Sequence, residues 1–183
     1  MEYEVALTKS WTDLETLAEK RSYDVRFLAD RYDVDLDKRQ VLSLSCNAPA
    51  SAHASIIILH YLKESVVGLP PIQGKWIAFQ ELVGGGGYYP TFTKRVTDRI
   101  ATKYGKDPQA IIGSGVRLGG SKAELADFSV VINAFDGVPI LVELWKADEE
   151  FGPSADVLFD KTIEKIFCTE DIVVLSEFLV SQI

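Results

Sequence analysis

The stretch from Phe128 to Trp145, FSVVINAFDGVPILVELW, sets two apolar runs on either side of Asp136-Gly137. Val, Ile and Phe at this density favour extended chain, and an Asp-Gly pair tolerates the positive φ of a tight hairpin turn, so residues 128–134 and 139–145 are predicted to form an antiparallel hairpin. Pro139 suits the start of the second strand, where its missing N–H interrupts no ladder. The chain then runs KADEEFGPSADVLFD to Asp160. Asp148, Glu149 and Glu150 repel one another and lose hydration if buried, so they stand in water, against a cation or against a partner. Trp145 and Phe151 bracket these acids and are expected to pin the turn to the core. Residues 157–159 read as a further strand, Asp160 as the cap of a helical turn, and Thr169 as the cap of a last helix burying Ile172, Leu175 and Leu179.

Toward the N-terminus, Tyr3, Leu7, Trp11, Leu14 and Ala18 recur at three- and four-residue spacing, which predicts an amphipathic helix ending near Lys20. From Tyr23 the period becomes two. Val25, Phe27, Tyr32, Val34 and Leu36 alternate with charged residues, and residues 41–45 follow, which reads as an antiparallel meander with one wet face. Pro49 fits a first helical position, and residues 50–64 are apolar on almost every side, so a buried helix is predicted there, ended by Gly68, Pro70 and Pro71. An extended piece over residues 76–82 leads to Gly84-Gly85-Gly86-Gly87. Pro90 then starts a helix whose Phe92, Val96, Ile100 and Tyr104 face inward and which Gly105 stops. Asp107-Pro108 signals a short helix to Ile112. Gly113, Gly115, Gly119 and Gly120 form the next connection, with Ser121 and Glu124 in capping-box spacing after it. The sum is one α+β domain over residues 1–183, an antiparallel sheet from the N-terminal meander and C-terminal hairpin packed with several helices.

Of the 183 residues, 47% are hydrophobic and 25% charged, as expected of a globular chain that buries one core. A net charge of -8 without clustered Lys and Arg argues against nucleic acid and against anionic membrane surfaces. The two cysteines, Cys46 and Cys168, are far apart and outside any CxxC pattern, so neither a zinc ribbon nor an all-cysteine iron–sulfur site can be built from them; a disulfide between them is left open. No charged segment with an apolar h-region opens the chain and no apolar run is long enough to span a bilayer, so a reduced, cytoplasmic protein is expected.

Gly84 to Gly87 could cradle an anion at a helix start, but no Gly-Lys-Ser/Thr and no G-x-G-x-x-G pattern accompanies it, and a flexible connection or lid over a pocket is the preferred reading. Tyr88, Tyr89 and Phe92 could stack on a flat ligand or anchor the loop. Gly113, Gly115 and Gly119 suit a tight turn, with Arg117 the nearby cation. Ser114 lacks the nucleophile-elbow frame. His53 and His60 lie two helical turns, roughly 10 Å, apart and cannot easily share a metal. His60 with Glu64, one turn on, is the better pair and the catalytic candidate, although two ligands alone do not make a metal site and a buried hydrogen-bonded histidine is the preferred reading; a general base at His60 is left open. Asp148, Glu149, Glu150 and Asp160 are the candidate ligands for Mg²⁺ or Ca²⁺, although their spacing is not that of an EF-hand and a solvated turn, with Asp160 and Asp171 near helix N-termini, is the preferred reading.

Pro139-Ile140, Leu144-Trp145, Asp148-Glu149-Glu150-Phe151, Pro153-Ser154 and Leu158-Phe159-Asp160, followed by Thr169-Glu170-Asp171, resemble the C-terminal signature of an uncharacterised prokaryotic family, the domain of unknown function 3786. His60-Tyr61-Leu62, Gly74-Lys75-Trp76 with Phe79, and Leu118-Gly119-Gly120 with Asp127 extend the resemblance over nearly the whole chain. The resemblance implies no assigned reaction or cofactor. It points to anaerobic bacteria and archaea, where some members carry a cysteine-rich iron–sulfur segment; with two distant cysteines this chain lacks it, which leaves a supporting role beside a redox or corrinoid system. The first functional expectation is a domain that binds a small molecule or a protein partner without chemistry of its own, in a pocket between the hairpin and the helix around His60. Its ligand-binding residues would be His60, Tyr61, Trp76, Gly85, Gly86, Tyr88, Gly119, Gly120 and Trp145. The alternatives are a metal-assisted or acid–base enzyme using the acidic turn and His60, and a structural subunit of a larger complex.

Overall fold

In the computed structural model, which describes residues 2–183, the chain separates between Pro70 and Pro71 into two units. The first opens with α1 (Glu2–Glu15). This helix ends before the expected Lys20, because the amides of Leu17 and Ala18 both turn back to the Leu14 carbonyl. Its buried stripe is also narrower than the spacing suggests: Trp11 and Leu14 are buried, whereas Tyr3 is 55% exposed and meets the His53 ring edge-on at 4.4 Å. The meander follows as β1 (Ser22–Phe27), β2 (Asp30–Asp35) and β3 (Gln40–Ser43), joined by a two-residue β4 (Ala48–Pro49) in the antiparallel order β1-β2-β3-β4. Val25, Phe27, Val34 and Val41 fill the dry face, and Arg31 pairs with Asp24 at 2.9 Å on the wet one, as period-two alternation requires. Pro49 stands opposite Leu42 in the edge strand β4 and not at a helix start, because an edge position leaves its missing N–H without consequence. Helix α2 (Ala52–Val67) is instead capped by Ser51, whose hydroxyl accepts the Ala54 amide at 3.2 Å, and it buries Ile56, Ile57, Ile58, Leu59 and Tyr61.

The second unit runs from β5 (Trp76–Ala78) through a 3₁₀ turn (Phe79–Glu81) into α3 (Gly85–Phe92). Gly85 to Gly87 therefore form the first turn of a helix, with Gly84 as its left-handed cap, where a connection was expected, and Pro90 sits inside that helix without starting it. Glycine disfavours helix by about 1 kcal/mol against Ala, but tertiary packing overrides that here. A Cβ on Gly85 would lie 2.0 Å from the Phe79 carbonyl oxygen, so only glycine lets the turn fold back so closely. A π turn (Thr93–Thr97) carries the helix on into α4 (Asp98–Tyr104), and Phe92, Val96, Ile100 and Tyr104 are all buried as predicted.

The next helix, α5 (Ala110–Arg117), continues through Gly113-Ser114-Gly115 where a connection was expected. Close approach is the reason, since a Cβ on Gly115 would lie 2.3 Å from a Val130 methyl. Ser121 and Glu124 form no capping box; β6 (Ser121–Ala123) pairs with β7 (Phe128–Phe135). The hairpin closes through Gly137 at φ +79° into β8 (Val138–Trp145), β9 (Ser154–Asp160) follows, and the antiparallel order is β5-β9-β8-β7-β6. Registered rows Val130–Val142–Val157 and Ile132–Ile140–Phe159 are wholly buried and form one core face. After a 3₁₀ turn (Lys161–Lys165) capped by Asp160, α6 (Thr169–Gln182) buries Ile172, Leu175 and Leu179. Its cap is Cys168, with Thr169 already helical, one residue before the expected boundary. The fold is α+β with antiparallel sheets. Among the described residues no helix is long and apolar enough to cross a membrane.

Candidate functional site

The chain turns outward between the 3₁₀ turn after β5 and the start of α3, and this segment forms one wall of a cavity of about 470 Å³. Leu82 is buried beneath it, while Val83 is 82% exposed and Tyr88 47%. The opposite wall is the start of α6, with Cys168, Thr169 and Glu170, and the floor includes Phe167 and Ile172, both buried. Three hydrogen bonds tie the walls together. The Val83 amide donates to Glu164 Oε1 at 2.9 Å, Thr169 Oγ1 donates to the Val83 carbonyl at 2.6 Å, and Tyr88 OH donates to Glu170 Oε1 at 3.3 Å. Both backbone polar groups of an exposed loop residue are thus satisfied by side chains of the facing wall, which holds the mouth in one shape.

Cys168 is poorly suited to nucleophilic work in this place. Partial burial of its sulfur, together with the Asp171 and Glu170 carboxyl groups, pushes the thiol up to about 11, so it is protonated at neutral pH. Cys46 and Cys168 are both free thiols.

Of the residues proposed from sequence, Tyr88 lines this cavity, and Gly85 and Gly86 form the adjoining first turn of α3; around Gly86 a side chain would meet open space. The others lie on other elements. Trp76 faces Asp160 across β5 and β9, Trp145 faces Ser154 at the other end of β9, and Gly119 and Gly120 link α5 to β6. His60 and Tyr61 lie on α2 in the first unit. His60 Nε2 is hydrogen-bonded to Ser10 Oγ at 2.9 Å, and that hydroxyl also lies 2.9 Å from the Ala6 carbonyl. Glu64 pairs with Lys63 at 3.1 Å.

The acidic turn and Asp160 are not gathered. Asp148 accepts the amides of Glu150 and Phe151 at 2.8 and 2.7 Å, bonds that hold its carboxyl below the usual range and fix the turn, while Glu149 and Glu150 are exposed. Asp160 stands at the far end of β9 from that turn, about 20 Å away at 3.3 Å per residue. Among the described residues, no group of three or more His, Cys, Asp or Glu side chains could hold a metal ion. Two further concavities open on helical surfaces, one along α1 and one bordered by Lys94, Arg99, Lys103 and Val180; neither these nor the cavity at Val83 is lined by Asp148, Glu149 or Glu150.

Strand register also pairs two carboxyl groups that are distant in sequence. Glu143, 9% exposed, stands directly opposite Asp156. Desolvation, with Asp156 beside it, pushes the Glu143 carboxyl up, and burial does the same to Asp156 against the Val157 amide that opposes it. The signal in the sequence is a lone glutamate within the apolar run of β8. A carboxyl group raised in the folded state favours folding below the ordinary carboxylate range, and that contribution is lost as pH climbs from there through the raised values. Glu143→Gln is therefore expected to stabilise the chain at pH 7 by up to about 1 kcal/mol, the scale of a like-charge cross-strand pair, with the gain vanishing at pH 3. Urea unfolding at the two pH values measures this, and a variant less stable than the parent at pH 7 would contradict it.

A family model described as a domain of unknown function, DUF3786, matches residues 12–182. No curated protein and no solved structure matches the chain.

Proposed function

The chain belongs to this family of domains of unknown function, a relationship that assigns no reaction, and we propose that it is a binding domain that takes a small molecule in the cavity between the start of α3 and the start of α6, without chemistry of its own. The observation that carries this reading is a concave site whose exposed lip, Val83 and Tyr88, is held by hydrogen bonds to the opposite wall. A volume of about 470 Å³ falls in the range of small-molecule sites, roughly 300–1,000 Å³, and an apolar floor with a few fixed polar groups is their usual composition. A protonated Cys168 suits binding better than bond-making. Preorganisation matters energetically, because a lip already ordered loses little further freedom when a ligand arrives.

The test is a screen of small apolar molecules by ligand-observed NMR against the parent chain and against Val83→Trp. Val83 is exposed, so the substitution leaves the core alone while its indole covers the mouth. Molecules that bind the parent are expected to lose at least about ten-fold in affinity on the variant, the scale of a blocked apolar contact. Equal binding to both chains would place the site elsewhere and overturn the reading.

A further inference from the structure

The ionisable groups at this cavity favour one sign of charge in a ligand. Glu164 and Glu170 line it, with Leu82, Phe167 and Ile172 supplying apolar surface, and no Lys, Arg or His is among the lining residues. Each glutamate accepts a hydrogen bond from a neutral donor, the Val83 amide and the Tyr88 hydroxyl, which orients the carboxylate without cancelling its charge. The helix N-termini of α3 and α6 act in the opposite sense, each equivalent to roughly half a positive charge. Two full negative charges against two halves leave the site negative, and Asp171 in the first turn of α6 adds to the same sign. The chain as a whole carries a net charge of -8, so its long-range field also concentrates cations.

Resting on the binding reading above, we infer that the ligand of this cavity is a small amine: an apolar body seated toward Phe167 and Ile172, and a protonated nitrogen held between Glu164 and Glu170. A carboxylate or phosphate of the same size is disfavoured by the same two groups. Tyr88 adds an aromatic ring at the rim, a surface that attracts ammonium groups further.

Three probes that share one aromatic body separate charge from shape: phenethylammonium, phenethyl alcohol and phenylpropionate. Each is titrated onto the full isotope-labelled chain while the amide signals of Gly84 and Thr169 are followed. The ammonium probe is expected to bind about five-fold more tightly than the alcohol, as two partly exposed ion pairs allow, with phenylpropionate weakest. The double variant Glu164→Gln, Glu170→Gln keeps both accepted hydrogen bonds and is expected to bring the ammonium probe down to the affinity of the alcohol. If the alcohol or the propionate shifts Gly84 and Thr169 with equal or greater affinity, the charge assignment fails while the cavity stands as a binding site. If no probe shifts those signals, the cavity itself fails and the amine assignment with it.

Discussion

Asp160→Ala is expected to lower the free energy of unfolding by about 3 kcal/mol, because it removes a buried charged acceptor and orphans the donors gathered around it. Asp160 is 1% exposed. Its carboxylate accepts the Thr162 amide at 3.0 Å, the Thr162 hydroxyl at 2.6 Å, the Gly74 amide at 2.6 Å and the Gln73 amide at 3.3 Å. Gln73 and Gly74 are exposed and can turn to water, whereas Thr162 is buried and cannot, so most of the loss falls on the cap of the 3₁₀ turn after β9. That turn leads to Glu164 and onward to Cys168, so the cavity wall is expected to loosen with it. Burial alone would push the Asp160 carboxyl up, but the bonds from Thr162, Gln73 and Gly74 together outweigh it and hold the group below the ordinary range. Its contribution is thus present above about pH 4 and lost as pH falls through the lowered value, so the gap between parent and variant should narrow toward pH 2. Urea unfolding at pH 7 and at low pH measures both effects. A loss below about 1 kcal/mol at pH 7 would mean that the four bonds carry little net energy.

Phe92→Ala should cost about 3–5 kcal/mol, the range for emptying an aromatic site in a packed core. Phe92 is fully buried, stacked on Phe79 at 4.0 Å with the rings 7° from parallel, and edge-on to Phe159 at 6.4 Å. This cluster also explains why α3 exists. A segment reading Gly85-Gly86-Gly87-Tyr88-Tyr89-Pro90 has poor intrinsic helix propensity, and an aromatic anchor at its C-terminal end supplies the tertiary energy that holds it. Hydrogen exchange at Tyr88 and Tyr89 should therefore accelerate in the variant more than at Ile140 or Val142 in β8. Phe92→Leu, which refills most of the volume, should recover the larger part of the loss. Uniform acceleration across the sheet and α3 would instead make Phe92 an ordinary core residue with no special hold on the glycine segment.

Periodicity carried much of the fold to the surface of the sequence. The β7–β8 hairpin was legible from Asp136-Gly137, the meander from its alternation, and the inward set Phe92, Val96, Ile100 and Tyr104 from its four-residue spacing. What stayed hidden depends on contacts that no local pattern encodes. Glycine at 85 and 115 reads as a chain break, yet each is where one backbone element presses on a neighbour, the Phe79 carbonyl in one case and Val130 in the other. Pro49 reads as a helix start until β4 is known to be an edge strand. The site divides in the same way. Tyr88 and the glycine segment were visible as a concentration of unusual residues, but the facing wall at Cys168 and Thr169 comes from a segment more than eighty positions later, joined through hydrogen bonds such as Thr169 to Val83. The three adjacent acids at residues 148–150 stand in solvent around the small turn that Asp148 closes, in line with the solvated-turn reading. The more unusual carboxyl pair, Glu143 with Asp156, emerges only from strand register.

Amide chemical-shift mapping of the isotope-labelled chain, with a ligand drawn from the small-molecule screen, tests the binding cavity most directly. Perturbed signals are predicted at Val83, Gly84 and Tyr88 on one wall and at Cys168, Thr169 and Glu170 on the other. Shifts centred on His60 or on the turn at Asp148, with those six amides silent, would contradict it.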